Sequence, residues 1–212
     1  MIKSLLTGAM LLVSACASAE LKSVDFLSRG DGLITHDTLS GLYWLDLPFT
    51  STGPAANPEL SYLSVQQKTQ SIGNPLFGFT HATIEQVNEL FTNAGLAVSD
   101  GGTYHKDGFL AAKRFLSMTG VTDVTVGRSR QLGYTSTNCS QAVAYSFKQC
   151  YSLSGYAQRH IISSVGIRDK TTFDAYAYLA LKATDVNNST ETKTGHYLVT
   201  HYNPTLIREV QN

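Results

Sequence analysis

Residues 30–47 read Gly-Asp-Gly-Leu-Ile-Thr-His-Asp-Thr-Leu-Ser-Gly-Leu-Tyr-Trp-Leu-Asp-Leu, and this stretch decides the predicted fold. Its Asp and Gly residues mark two turns, the second at 37–41, because both residue types favour turn conformations. The segments 33–36 and 42–47 are rich in the branched and aromatic residues that strands favour. Together with a strand predicted over 21–28, the pattern indicates an antiparallel meander of three strands.

Helices are predicted after this meander. The clearest has a capping box at Thr83 and Gln86. Its apolar residues recur with helical spacing on one face, namely Ile84, Val87, Leu90, Phe91 and Ala94. Two more helices are predicted over 62–72, behind a Ser61 cap, and over about 108–118.

Strands return in the second half of the chain. The predicted strands are 121–126, 160–165, 173–181 and 196–202. The segment 134–145 is polar, and an irregular loop is expected there. Strands, then helices, then strands are typical of an α+β fold with antiparallel sheets.

Length and composition limit the class of protein. The chain has 212 residues, of which 42% are hydrophobic, and 16 basic side chains balance 16 acidic ones. This hydrophobic fraction excludes a disordered chain, and the zero net charge excludes a strongly basic nucleic-acid binder or a polybasic membrane binder. One domain over residues 20–212 is the expected organisation.

The first nineteen residues have the pattern of a secretory signal peptide. Lys3 precedes a short apolar run, and Ala17-Ser18-Ala19 forms a cleavage site that would leave Glu20 as the first mature residue. The stretch ending at Cys16 also resembles a bacterial lipobox, in which that cysteine would be lipidated. The sequence therefore predicts export, either as a soluble protein or with one lipid anchor.

Two further cysteines, Cys139 and Cys150, are predicted to form a disulfide, because exported proteins meet an oxidising environment. A bond over so short a loop contributes about 3 kcal/mol in the chain-entropy model. Bridged Cα atoms lie within about 7 Å of each other, so residues 140–149 are expected to turn back on themselves.

Residues 30–44, from the first Gly-Asp-Gly turn to Gly-Leu-Tyr-Trp, resemble the opening of bacterial Lcl C-terminal-type domains. The segment 79–86 is similar to the family's second helix start, although it lacks the usual Trp-Arg-Leu-Pro. Residues 195–199 are similar to the closing strand. Exported bacterial proteins with Gly-Leu-x-Trp-Leu-Asp-Leu are more similar still. The resemblance implies a C-type-lectin-like fold, with two helices beside antiparallel sheets, and an extracellular or cell-surface binding role.

Calcium binding is a weaker expectation. Asp31 and Asp37 flank a short strand and could offer carboxylates to Ca²⁺, although both also suit turns. The Glu-Pro-Asn or Gln-Pro-Asp and Trp-Asn-Asp triplets of calcium-dependent lectins are absent, and Asn57-Pro58-Glu59 has its letters in another order. The expectation is that no cofactor is required.

Arg128, Arg130 and Tyr134 are the candidate ligand-binding residues. On a strand, 128 and 130 face the same side, and two guanidinium groups beside an aromatic ring can bind a sulfate or a carboxylate. The alternative is a charged edge strand that prevents aggregation.

Trp44 and four histidines are interpreted as structural residues and not as ligand-binding residues. Trp44 is expected in the core because it alternates with apolar neighbours. His36 and His81 are expected in loops or at the surface. His196 and His201 are expected on opposite faces of one strand, which excludes a shared metal.

No catalytic motif is found. The sequence has no Gly-x-Ser-x-Gly elbow, His-Glu-x-x-His pair, P-loop or Gly-x-Gly-x-x-Gly loop. The prediction is an exported, non-catalytic module of the cell envelope or extracellular space that binds carbohydrate or a protein partner. It would bind no nucleic acid and would contact a membrane only through a lipid on Cys16. One alternative is an exported enzyme of unrecognised type, which a pocket with convergent carboxylates or with histidines of perturbed pKa would favour. The other is a structural surface or matrix component, which exposed tyrosine-rich edge strands and concentration-dependent assembly would favour.

Overall fold

The computed structural model describes residues 20–51, 61–98, 105–138, 141, 159–168, 173–185 and 193–205. Over these ranges the fold is α+β, with helices beside two sheets. The helices are α1 (Tyr62–Gln70), α2 (Ile84–Asn93), α3 (Phe109–Thr119) and the 3₁₀ helix Leu47–Thr50. The strands are β1 (Leu21–Val24), β2 (Ile34–Asp37), β3 (Leu42–Leu45), β4 (Thr80–His81), β5 (Asp123–Thr125), β6 (Arg128–Asn138), β7 (Arg159–Arg168), β8 (Asp174–Asp185), β9 (Gly195–His196) and β10 (Leu198–Thr200).

The first sheet contains the expected meander. Its strand order is β1-β2-β3-β10-β4, and all pairs are antiparallel. β1 ends at Val24, earlier than predicted, because the Asp31 carboxylate accepts the backbone N–H groups of residues 26, 27 and 28 in a turn. β3 ends at Leu45, and Pro48 lies at the start of the 3₁₀ helix that follows, where its missing N–H costs nothing.

The helix predictions are confirmed. Thr83 accepts a hydrogen bond from the Gln86 N–H, and the Gln86 side chain accepts one from the Thr83 N–H, which completes the capping box of α2. Ser61 caps α1 by accepting from the Ser64 N–H. α3 ends at Gly120, whose φ of 83° suits a residue without a Cβ.

The second sheet differs from the expectation in one long strand. Its order is β5-β6-β7-β8, all antiparallel, and β9 adds to β6 in parallel. β6 continues to Asn138 through a segment that was expected to be irregular. Two of its threonines are buried, and their hydroxyl groups form hydrogen bonds with residues distant in sequence. Thr135 donates to the Ile161 carbonyl, and Thr137 accepts from the Ile84 N–H. A polar sequence therefore forms a central strand, because partners distant in sequence supply its hydrogen bonds.

The main core lies where α2 and α3 pack with side chains of both sheets. Trp44 is 2% exposed in this core, as predicted. A second cluster packs Val65 of α1 and Phe79 with apolar residues of the first sheet. Across the described ranges, no helix has the length and hydropathy needed to cross a bilayer.

Tyr197 joins the two sheets. Its backbone N–H donates to the Tyr134 carbonyl in the second sheet, and its carbonyl accepts from the Ala82 N–H beside the first. Its fully buried hydroxyl donates to Gln131 Oε1 at 3.0 Å. The Gln131 amide donates in turn to carbonyl oxygens of Thr119 and Gly120 at the end of α3. One residue therefore links both sheets and a helix.

This junction predicts the effect of Gly133→Ala. A Cβ at position 133 would lie 2.5 Å from both Leu47 Cδ2 and Tyr197 Cδ2, too close for either side chain to remain in place. We expect a loss of about 2–3 kcal/mol in the free energy of unfolding, measured by urea denaturation. Gly108→Ala is the control, because a Cβ there meets nothing within 4 Å, and its cost should stay below about 1 kcal/mol. Equal losses in the two variants would contradict the crowding at position 133.

Candidate functional site

Five aromatic side chains from five separate elements meet near this junction. They are Tyr62 on α1, His81 on β4, Tyr134 on β6, His160 on β7 and His196 on β9. We call them the histidine–tyrosine cluster. β4 belongs to the first sheet and β6, β7 and β9 to the second, so the cluster lies where the two sheets meet.

Hydrogen bonds fix the histidine rings of the cluster. His81 Nε2 lies 2.9 Å from His196 Nδ1, a contact in which one nitrogen donates and the other accepts. His160 Nδ1 lies 2.9 Å from the carbonyl oxygen of Thr135. Because a carbonyl only accepts, this nitrogen carries the hydrogen. Neutral imidazole rings can form both of these hydrogen bonds, because each ring has one donor and one acceptor nitrogen.

Ring contacts hold the rest of the cluster together. Tyr62 stacks on His81 with ring centroids 4.0 Å apart and contacts His160 at 4.2 Å. Tyr134 stacks on His196 at 5.0 Å and meets Tyr62 edge-on at 6.3 Å. Such pairs contribute about 0.5–1.5 kcal/mol each beyond the area they bury. Tyr62 therefore connects α1 to β4 of the first sheet and to β7 of the second.

Burial keeps the cluster uncharged. Burial, together with the charges that His196 and His160 would carry, lowers the pKa of His81 to about 2. Burial also lowers the pKa of His160, although its hydrogen bond to Thr135 opposes the shift. Burial raises the pKa of the Tyr62 hydroxyl to about 12. At neutral pH these three groups carry no charge.

A cleft of about 530 Å³ opens beside the cluster. α1 contributes Gln66 and Gln70, and the loop after α1 contributes the half-buried ring of Phe77. Further polar lining comes from Thr80, His81 and Ser136. The described residues that line the cleft include no carboxylate, lysine or arginine. Its surface offers amide and hydroxyl groups and the aromatic rings of Tyr62, Phe77, Phe79 and His81, which suits a neutral polar ligand.

The described residues contain no group of three or more His, Cys, Asp or Glu side chains placed to hold a metal ion. Asp31 is occupied by hydrogen bonds in its turn: burial opposes ionisation, but backbone N–H donors hold its pKa below the ordinary value. Asp37 is fully buried and accepts hydrogen bonds from Ser40 Oγ and Asn93 Nδ2, both at 2.7 Å. Both carboxylates therefore have structural partners, and calcium binding by them stays a prediction.

The structure places one of the three predicted ligand residues, Tyr134, away from the two arginines. Arg130 Nε donates to Asp123 Oδ2 at 2.6 Å, and Arg128 is exposed at the start of β6. Tyr134 lies farther along the strand, is 3% exposed, and belongs to the histidine–tyrosine cluster. The anion site at the two arginines stays a prediction, but Tyr134 is not beside them.

His36 and His81 are half-buried and lie on strands rather than in loops. His81 belongs to the cluster, and the His36 ring stacks 4.2 Å from that of Tyr43. The predicted strand 196–202 is divided at Tyr197 into β9 and β10, so His196, fully buried on β9, and His201, exposed after β10, do not share one strand. The sequence offered no local pattern for the cluster, because its members are brought together by strand pairing between distant segments.

Several predictions fall outside the described residues. These are the signal peptide with Cys16 and Ala19, the Asn57-Pro58-Glu59 segment, and the disulfide between Cys139 and Cys150. Glu20 is described: it is exposed and its backbone N–H donates to Thr38 Oγ1.

Comparison of the chain with protein-family models, with curated proteins and with solved structures finds no match. The function is therefore argued from the cluster and the cleft themselves.

The cluster predicts a difference between two substitutions of Tyr62, which is 6% exposed. Tyr62→Ala removes the ring that stacks on His81 and contacts His160, and we expect it to cost about 3–4 kcal/mol in unfolding free energy. Tyr62→Phe keeps the ring and should cost less than about 1 kcal/mol. Chemical denaturation measures both, and similar losses would mean that the hydroxyl, not the stacked ring, holds α1.

A half-buried acid outside the cluster, Asp46, gives a pH-dependent prediction. Burial, opposed by a side-chain hydrogen bond with Thr35 and assisted by the charge of Asp31, raises the pKa of Asp46 to about 7. Asp46 Oδ1 has no hydrogen-bond partner among the described residues. An unfolded Asp ionises near pH 4. The folded state therefore loses stability as pH rises from about 4 to 7, and the loss is complete above that range.

Asp46→Asn should remove this loss. We expect the variant to be more stable than the wild type by about 1–3 kcal/mol at pH 8, with the gain vanishing near pH 4. Asp107→Asn makes the same charge change at an exposed residue and should show no such trend. Melting temperatures across this pH range measure the difference, and a gain that is equal at every pH would contradict the raised pKa.

Proposed function

We propose that the chain is a non-catalytic binding module that takes a neutral carbohydrate into the cleft beside His81. The observation that carries this proposal is the lining: the Phe77 ring stands among amide and hydroxyl side chains, and no ionised side chain is among the described lining residues. Sugars present hydroxyl groups to polar side chains and apolar C–H faces to aromatic rings. A volume of about 530 Å³ is within the range of small-molecule sites.

The histidine–tyrosine cluster supports binding by making one wall of the cleft rigid. His81 is held on one side by His196 and on its face by Tyr62. A side chain held in this way loses little freedom when a ligand binds, which reduces the entropic cost of association. Because His81 is neutral, it can exchange hydrogen bonds with hydroxyl groups without attracting anions.

The proposal also includes a specific fold family within the α+β class. We infer a C-type-lectin-like domain over residues 20–212, supported by the resemblance of residues 30–44 and by helices that stand beside two mainly antiparallel sheets. Export to the envelope or extracellular space, as a soluble or lipid-anchored protein, rests on the pattern of residues 1–19. A Cys139–Cys150 disulfide agrees with that environment.

A second candidate is an enzyme, because histidines of shifted pKa line or adjoin the cleft. The direction of the shift favours binding over catalysis. A general base is most effective when its pKa lies near the working pH, whereas the pKa of His81 is near 2. Release of a new reducing end from any oligosaccharide incubated with the protein would favour the enzyme.

The proposal predicts that the amide side chains of the cleft determine affinity. Disaccharides such as cellobiose, maltose and chitobiose are titrated at pH 7.5 and followed by NMR chemical shifts and by melting temperature. Gln66→Ala and Gln70→Ala should each weaken binding about 3- to 10-fold, which is the change in affinity expected when one neutral hydrogen bond is lost. Gln67→Ala is the matched control, since Gln67 is exposed on the same helix and is not among the lining residues.

Two outcomes would contradict the carbohydrate proposal. One is the absence of shifts in the cleft residues with every sugar at millimolar concentration. The other is a loss of affinity in Gln67→Ala equal to that in Gln66→Ala, since binding would then lie on the outer face of α1.

A further inference from the structure

We propose that the outer edge of β5 docks an extended acidic segment of a protein partner, which joins the second sheet as an additional strand. Acidic side chains of this segment would contact Arg128 and Arg130, and its apolar side chains would pack beside Val124. This surface is separate from the cleft, so docking at β5 does not depend on the proposed function.

β5 is an edge strand with apolar residues at its surface. Among the described strands it is at one end of the second sheet and pairs with β6. Val124 on β5 is 68% exposed, and Val126, in the turn that leads to β6, is 88% exposed. Edges that avoid partners usually carry charged side chains or proline, and turns usually carry polar residues or glycine. Two exposed valines here favour contact with another chain, which can join a strand edge through backbone hydrogen bonds.

Arg130 brings positive charge to this edge. It lies opposite Asp123 of β5, and its Nε donates to Asp123 Oδ2 at 2.6 Å, so its guanidinium group is held towards β5. Lys193 Nζ lies 2.7 Å from the other oxygen of the same carboxylate. The Asp123 side chain is 4% exposed, whereas that of Arg130 is 34% exposed. One buried carboxylate is therefore divided between two cations, and Arg130 retains charge for a ligand at the edge.

Arg128 adds a second and more exposed guanidinium group. It lies two residues from Arg130 on the same face of β6, opposite the exposed Thr125 of β5. On its other side is Arg168 of β7, whose Nε and Nη2 donate to Asp174. Like charges at directly opposite positions destabilise a strand pair, so a carboxylate supplied by a partner would stabilise Arg128 in this place.

Protection of an edge strand from aggregation does not account for these two arginines. Where they lie, β6 pairs on one side with Thr125 and Asp123 of β5 and on the other side with β7. A strand with partners on both sides has no edge of its own to protect. The charged edge considered for residues 128 and 130 therefore does not apply, because β6 is an interior strand.

The pairing geometry specifies the chemistry of the partner. Successive side chains of a strand point to opposite faces, so residues 123 and 125 share the face of both arginines and Val124 lies on the other face. Neighbouring strands are about 4.8 Å apart, so an arginine on β6 can reach across β5 to a carboxylate on an added strand. We therefore expect the docked segment to alternate Asp or Glu with Val, Ile or Leu.

The charge and position of this edge also set it apart from other sites. The chain carries no net charge, so the attraction is local and suits a few carboxylates better than the long phosphate array of a nucleic acid. Arg130 and the cleft residue Ser136 are separated by about 20 Å along β6. A peptide at β5 and a sugar in the cleft can therefore be bound at the same time.

Short synthetic peptides titrated into the full chain test the docking edge. The probe is a peptide that alternates Glu with Val, and its control alternates Lys with Val. At pH 7.5 and low salt, the Glu–Val peptide should bind about 10-fold or more tightly than the Lys–Val peptide. NMR shifts caused by the Glu–Val peptide should lie on the amides of residues 123–130, and the amides of α2 should not shift.

Two pairs of variants separate the effect of charge from that of packing. Arg128→Glu should weaken the Glu–Val peptide about 10-fold or more and strengthen the Lys–Val peptide. Arg114→Glu makes the same charge change at an exposed residue of α3 and should alter neither affinity. Val124→Ser should weaken the Glu–Val peptide about 3-fold or more, whereas Leu110→Ser, at a 77% exposed residue of α3, should leave it unchanged.

Several results would overturn the docking edge. These are no binding of the Glu–Val peptide at millimolar concentration, equal affinity for the two peptides, and equal losses in Arg128→Glu and Arg114→Glu. Amide shifts confined to the cleft residues would place the peptide elsewhere and have the same consequence. Dextran sulfate or single-stranded DNA that binds more tightly than the Glu–Val peptide, and loses this binding in Arg128→Glu, would assign the surface to polyanions and overturn the protein partner.

Discussion

The segment 195–200 is the constraint on which the rest of the structure depends. Its first two residues pair with β6 in the second sheet, and its last three lie between β3 and β4 in the first. Tyr197, between them, is fully buried and bonded to both sides. The close approach needed here leaves no space for a side chain at Gly133 or Gly195, whose added Cβ atoms would meet Leu47. The two sheets therefore keep a fixed relation to each other.

The candidate site follows from that constraint. His196 immediately precedes Tyr197, and its backbone N–H donates to Thr50 Oγ1 at 3.0 Å, so its ring is carried to the boundary between the sheets. His81 reaches the same boundary from the edge strand of the first sheet. Since α1 meets both through Tyr62, the cleft wall is attached to the fold where the two sheets are joined.

The sequence predicted what depends on near neighbours. The turns within 30–47 and the capping box of α2 rest on residues a few positions apart, and both are present. β6 was missed beyond residue 134 because its buried threonines find partners on α2 and β7, far away in the chain. The cluster was missed for the same reason: five elements each contribute one ring, so no single segment carries a pattern.

The strand order also has a consequence for how the chain acquires its structure. β10 follows β1 to β8 in the chain, yet it occupies an interior place in the first sheet, between β3 and β4. The strands β3 and β4 are synthesised long before β10, with which both of them pair. Loops of more than a hundred residues must therefore close before the first sheet is complete. During synthesis the first sheet stays incomplete until β10 has been made, which favours folding after translation.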